Sequence, residues 1–234
     1  MLSLRKIFQK MKHPSTIIGR EEELATIQRL YDSERSEFLA IYGRRRVGKS
    51  FLIEEAFENK LSFMAVGLYQ RIDESNEDKM ESYRQKQLAH FYDSLVEYGL
   101  PTEGNPAPTS WMEALRLLKK LLSSKRTRRK VVFIDELPWL AGPQSSELIE
   151  ELGHFWNSWA RKRKDILLIV CGSATSWMID NVLRDYGGPS INSQTSSPCS
   201  ICALLKTPTL LPGARYSGAN PFIPGQATPL NYWS

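Results

Sequence analysis

Residues 42–50 read YGRRRVGKS and follow a short apolar run, EFLAIY at 37–42. Gly43, Gly48, Lys49 and Ser50 occupy the fixed positions of G-x-x-x-x-G-K-[ST]. The pattern constrains the fold because each of its parts needs a particular neighbour. Glycines let the backbone approach a phosphate closely, and the loop's N–H groups converge on that anion when the loop leads from a strand into a helix N-terminus. The run before the loop is apolar and β-branched or aromatic at several positions, as a strand buried on both faces should be. The residues from Lys49 to about Asn59 pattern as a helix. Lys49 would reach the outer phosphates as a point charge, and the Ser50 hydroxyl would ligate Mg²⁺. Arg44, Arg45, Arg46 and Val47 complete the loop. The three arginines either add positive potential beside a polyphosphate or project to solvent or a neighbouring subunit, and the sequence leaves both open.

The rest of the patterned chain alternates helix and strand, which predicts an α/β fold with a largely parallel sheet sandwiched by helices. Residues 21–33 place Leu24, Ile27, Leu30 and Tyr31 on one helical face. LSFMAVGLY at 61–69 reads as a second strand, and helices are expected over 79–98 and 110–124, the latter opened by a Ser110 to Glu113 capping box. A third strand, VVFI at 131–134, precedes a helix over 146–162 whose Leu148, Leu152, Phe155, Trp156 and Trp159 form a core-facing stripe. ILLIVC at 166–171 is the last clear strand, running into GSATSWM and a helix to about Tyr186.

Candidate site residues follow from where these strands end. Asp135 at the end of VVFI would hold Mg²⁺, directly or through water, and Glu136 would orient or deprotonate an attacking water. Paired with the glycine loop this becomes specific, because ligands of open α/β sheets bind beyond the carboxyl ends of the strands. A strand between the loop and the acidic strand, with glutamate directly after aspartate, points to the additional-strand division of P-loop NTPases. Ser173 follows ILLIVC. Its hydroxyl would either contact the γ-phosphate or the water, or cap the next helix.

Composition excludes several classes. No run approaches the roughly 18 apolar residues of a membrane helix, and MLSLRKIFQKMKH has no apolar signal core, so a cytoplasmic protein is expected. The basic residues 1–16 form an N-terminal extension, read as a solvated tail or a surface helix. Cys171 lies in an apolar run, where a core thiol is the default; Cys199 and Cys202 have half of a zinc-site spacing without a second pair. The net charge is +5, yet all 26 acidic residues fall at or before Asp185. A boundary is therefore placed near Gly187-Gly188, with 17–188 one domain and 189–234 a disordered or irregular tail. Two basic runs, KRTRRK at 125–130 and RKRK at 161–164, each precede a strand and should lie at the edge opposite the nucleotide. They read as a DNA or RNA surface or as solvated loop charge.

IIGREEELATI, IYGRRRVGKSFLIEEAF, VVFIDELPWL, FWNSWA and ILLIVCGSATSWM together resemble the archaeal-type AAA ATPases, near the signal-transduction (STAND) branch of the AAA+ superfamily. The likeness covers Ile17 to Gly188. It implies ATP binding by Gly43 to Ser50, Mg²⁺ through Ser50 and Asp135, catalysis by Lys49 and Glu136, and sensing by Ser173. Ile18, Gly19 and Arg20 resemble the family's box against the adenine. A homo-oligomer fits the resemblance. Members continue with a helical lid, a winged helix and often a nuclease-like domain, none of which is recognisable after 188. The tail is expected to be out-of-frame or degraded translation, with a natural disordered tail as the alternative. Two readings follow: an ATP-hydrolysing module with slow turnover, or a catalytically weak remnant that only binds nucleotide, nucleic acid or a partner.

Overall fold

A computed structural model of the chain describes residues 20–71, 75–143, 146–184 and the pair 205–206. In chain order these form α1 (Glu21–Asp32), β1 (Glu37–Tyr42), α2 (Lys49–Phe57), β2 (Leu61–Val66), α3 (Glu77–Glu97), α4 (Trp111–Ser124), β3 (Lys130–Asp135), α5 (Leu137–Ala141), α6 (Ser146–Ser158), β4 (Ile166–Gly172), α7 (Thr175–Met178) and β5 (Leu205–Lys206). The sheet order is β2-β3-β4-β1-β5, with every pairing parallel. No helix of the described residues is long and apolar enough to cross a membrane.

Every residue of β1, β3 and β4 is buried, which is why these strands read as continuous apolar runs. Alternation sorts their side chains to two cores. Phe38, Ala40, Val132, Ile134, Leu168 and Val170 face a larger core closed by α3, α4 and α6. Leu39, Ile41, Val131, Phe133, Leu167 and Ile169 face a smaller one closed by α1 and α2. The α/β sandwich expected from the sequence is therefore present, with both sheet faces covered by helices.

Five details differ from the sequence reading. The strand lying between β1 and β3 is β4, whereas β2 takes the edge. A short helix, α5, follows Glu136 at once, and its five residues are too few to show a period. The helix expected over 146–162 stops at Ser158 and ends in a 3₁₀ turn at Ala160–Lys162, while the one expected to reach Tyr186 is α-helical only over Thr175–Met178 and widens to a π-turn over Ile179–Arg184. Leu205 and Lys206, within the stretch expected to be irregular, pair with Ile41 and Tyr42. The N-terminal extension, Cys199 and Cys202 lie outside the described residues.

The basic runs do lie before β3 and β4, but their best-placed cations face inward. Arg129, only 6% exposed, donates through Nη1 to the carbonyls of Ser33, Arg35 and Lys164 and through Nη2 to that of Leu30. One guanidinium thus closes the ends of α1, the turn into β1 and the turn into β4. Lys130 and Arg163 both pair with Asp165, at 2.8 and 2.7 Å. We predict that Arg129→Lys destabilises the fold by at least about 3 kcal/mol in denaturant melts, because an ammonium cannot reproduce the planar fork and leaves buried carbonyls unsatisfied. The Arg163 guanidinium, followed by the Lys130 ammonium, holds the Asp165 carboxyl down to about 2 from the usual 3.8. The stabilisation from this depressed carboxyl is fully present above about pH 4 and fades as pH falls towards 2. Asp165→Asn should lower stability at neutral pH by about 1 kcal/mol and flatten that acid limb, as acid-titrated melts would show.

Candidate functional site

The parallel register brings three strand ends to one edge. Tyr42 is opposite Gly172 in β4, and Ile134 is opposite Val170, so the loop after β1, the turn after β3 and the turn after β4 open side by side.

The loop from Gly43 to Ser50 leads directly into α2, whose N-terminal backbone N–H groups have no helical acceptor of their own. Gly48 precedes the helix at φ 79°, a left-handed conformation that a side chain would disfavour; a Cβ there would meet nothing within 4 Å, so the need is conformational rather than steric. Arg46 is also left-handed, at φ 63°. Lys49 is buried at 6% exposure and donates through Nζ to the carbonyls of Gly43, at 3.1 Å, and Arg44, at 2.9 Å. Among the described residues it forms no ion pair with a carboxylate. A buried ammonium held only by loop carbonyls is a cation placed for an external anion. Ser50 sits in the same first turn, half-buried.

Arg20 donates to the carbonyl of Val47 at 2.9 Å and pairs with Glu23 at 2.9 Å, which fastens the chain before α1 to the loop. Ile18 and Gly19 lie outside the described residues. Arg44, Arg45 and Arg46 are exposed, and one of them has a partner: the Arg45 guanidinium lies 4.5 Å from the ring centroid of Trp139 and 5.7 Å from that of Tyr69.

Asp135 is the last residue of β3 and is buried, with Oδ1 accepting from the backbone N–H of Glu136 at 2.9 Å. Glu136 adopts φ 46°, ψ 48°, and this left-handed kink turns the chain from strand to α5 within one residue. Its Oε2 accepts from the backbone N–H of Ser173, at 3.3 Å, and from its hydroxyl, at 3.0 Å. Ser173, expected either to face the phosphate or to cap α7, is committed to the glutamate. Cys171, near the end of β4, is fully buried; burial first, then the negative charge of Asp135, pushes its thiol pKa far up, while the Lys49 charge opposes. The core thiol expected from the sequence is thus present, packed in the smaller core. A hydroxyl and a carboxylate, Ser50 and Asp135, are hard oxygen donors of the kind that hold Mg²⁺ together with phosphate oxygens and water. Among the described residues no group of three or more His, Cys, Asp and Glu forms a metal cage, so Ser50 and Asp135 would rely on the phosphates and water for the remaining ligands.

The sequence reading missed the supports of this edge. Gly67 donates to the carbonyl of Asp135 at 2.9 Å, and a Cβ on it would come within 2.4 Å of the Glu136 carbonyl oxygen and 2.5 Å of the Leu140 nitrogen. Gln87 of α3 embraces the Leu68 peptide, donating to its carbonyl at 2.8 Å and accepting from its N–H at 3.1 Å, and the Tyr83 hydroxyl, with one hydrogen to donate, lies within hydrogen-bond reach of the carbonyls of both Leu68 and Trp139. An isolated glycine inside a strand-like run was the available signal, since it marks a close backbone approach. Gly67→Ala should cost about 1–3 kcal/mol by overpacking and should widen the gap between β2 and the Glu136 turn. Denaturant midpoints, with hydrogen exchange at residues 135–140, check both effects.

Residues 17–195 match the model of a family described as an ATPase domain predominantly from Archaea. An uncharacterized protein of Methanocaldococcus jannaschii is 29% identical over 184 residues, covering 76% of this chain and 34% of that protein. An uncharacterized ATP-binding protein of the same organism is 42% identical over 43 residues, covering 18% of this chain and 73% of that one. Among solved structures, a Walker-type ATPase of Pyrococcus abyssi matches with a TM-score of 0.50 at 19% identity, over 76% of this chain and 52% of that chain; this is a likeness of fold. The chain spans about a third of the first relative's length and about half of the solved one's.

Proposed function

Because the chain belongs to the family of ATPase domains found predominantly in Archaea, we propose that residues 17–188 bind ATP with Mg²⁺ at the Gly43–Ser50 loop and hydrolyse it with Glu136. The observation that carries this reading is the buried Lys49 ammonium, which donates to loop carbonyls, forms no ion pair with a carboxylate among the described residues, and stands at the sheet edge where β3 ends in Asp135. In the proposed complex the loop N–H groups and the α2 N-terminus cradle the β-phosphate, and Lys49 leaves one or both carbonyls for the β- and γ-oxygens. Ser50 and Asp135 hold Mg²⁺, which when bound neutralises charge developing on the transferring phosphoryl group. Glu136 orients the attacking water and accepts its proton, as its position directly after Asp135 suits. Ser173 holds the carboxylate by two donated hydrogen bonds, so it reaches the water only through Glu136 or by exchanging that bond for one to the γ-phosphate.

A nucleic-acid surface on the basic runs is the weaker second reading. Arg129, Lys130 and Arg163 are occupied inside the protein, which leaves fewer free cations than the sequence counts there.

Calorimetric titration of the full chain with Mg²⁺ and a slowly hydrolysed ATP analogue, beside phosphate release, tests the main reading. Lys49→Ala should weaken binding about 10- to 100-fold, the worth of one charge-assisted contact. Glu136→Gln should bind within about threefold of wild type yet lose turnover by about 10² to 10⁴, the usual contribution of a positioned base. Binding without turnover in the wild type would reduce the chain to a nucleotide-binding module, and no binding at all would overturn the reading.

A further inference from the structure

The loop arginines are the part of the motif that phosphate binding does not require. Arg45, although exposed, lies over two rings. Those rings, Tyr69 and Trp139, are 5.1 Å apart between centroids and tilted by 54°, so together they form an angled shelf. Tyr69 is 65% exposed, yet the shelf is held from beneath by the Gln87 embrace of Leu68 and the Tyr83 bridge to Trp139. Trp139 itself belongs to the turn that carries Glu136: its N–H donates to the Glu136 carbonyl at 2.9 Å, and the next N–H, of Leu140, donates to it at 3.1 Å.

We propose that Arg45 is a positioning residue for hydrolysis, its guanidinium on Trp139 tying the phosphate-binding loop to the turn that carries Glu136. A guanidinium is planar, delocalised and weakly hydrated, so it can lie flat on a ring while the loop backbone moves beneath it. When the loop tightens on a nucleotide, the displacement of Arg45 is carried to Trp139 and through one hydrogen-bonded turn to Glu136. An arginine that only raised the local potential would act on binding; one that couples loop to turn acts on the chemical step.

The proposal rests on the ATPase reading, and its test separates the two. Full-length wild type is compared with Arg45→Ala, Arg45→Lys, Trp139→Phe and the double variant Arg45→Ala/Trp139→Phe, in steady-state turnover and in tryptophan emission during titration with Mg²⁺-ADP, with calorimetry as the independent measure of binding. An exposed cation–π contact of ordinary strength predicts a fall in kcat of about two- to fivefold for Arg45→Ala with KM within about twofold. Trp139→Phe, which keeps a ring face, should lose less, Arg45→Lys should recover part of the loss, and the double variant should fall short of the product of the two single effects. The nucleotide-induced change in Trp139 emission, obtained by subtracting the Trp139→Phe signal, should vanish in Arg45→Ala while calorimetric binding persists. A raised KM with kcat unchanged would make Arg45 a phosphate ligand and overturn the proposal, as would strictly multiplicative effects or an emission change untouched by Arg45→Ala. Calorimetric silence of the wild type would remove the ATPase reading itself and this proposal with it.

Discussion

Three neighbouring strands of this chain are buried on both faces, and that one constraint decides where polar chemistry can stand. Inside β1, β3 and β4 every side chain between the ends meets hydrocarbon, so a charge placed there would lose its hydration with nothing to replace it. Charged groups can appear only where the strands begin or finish. The parallel pairing then brings the finishes to one edge, so the loop that leads to Lys49 and the strand end that carries Asp135 and Glu136 open side by side although they lie far apart in the chain. The site is in this sense an effect of the sheet.

The two edges treat their cations differently, and the contrast separates scaffold from site. At the edge where the strands begin, Arg129 is surrounded by carbonyls belonging to the ends of rigid elements, and Lys130 and Arg163 share a carboxylate. Those charges are compensated within the protein. At the opposite edge, Lys49 is held only by two carbonyls of the loop it belongs to, which are weaker partners for an ammonium than a phosphate is. A basic run is thus a poor guide to function by itself, since most of its best-ordered members here are fasteners.

Much of this was legible in the sequence because the informative signals were local. A glycine loop between an apolar run and a helical pattern, and an apolar run ending in two acids, each declare their surroundings within about ten residues. The strand order was less accessible: LSFMAV and ILLIVC are both apolar runs, and nothing in either says which will sit beside β1. The supports of the site were least accessible. Gln87 and Tyr83 lie on a helix whose amphipathic pattern is weak, and their partners are backbone atoms, which leave no trace in side-chain composition. Ser173 was chosen as a candidate from its place after a strand, but its bond to Glu136 depends on the β3–β4 pairing and could not be read along the chain. Arg45 was left open between a polyphosphate, solvent and a neighbouring subunit; it is exposed, and its contact with Trp139 is one that the reading along the chain did not foresee.

Glu136 has a backbone that glycine or asparagine would occupy with less strain, at a difference on the order of 1 kcal/mol. The kink delivers the carboxylate to the end of β4 and, in the same residue, starts the helix bearing Trp139. Stability and site geometry therefore pull in opposite directions at this one position. Among variants screened only for resistance to heat or denaturant, Glu136→Gly would be expected to score as an improvement, so a campaign to harden this protein would discard the carboxylate on which the proposed hydrolysis depends while reporting success.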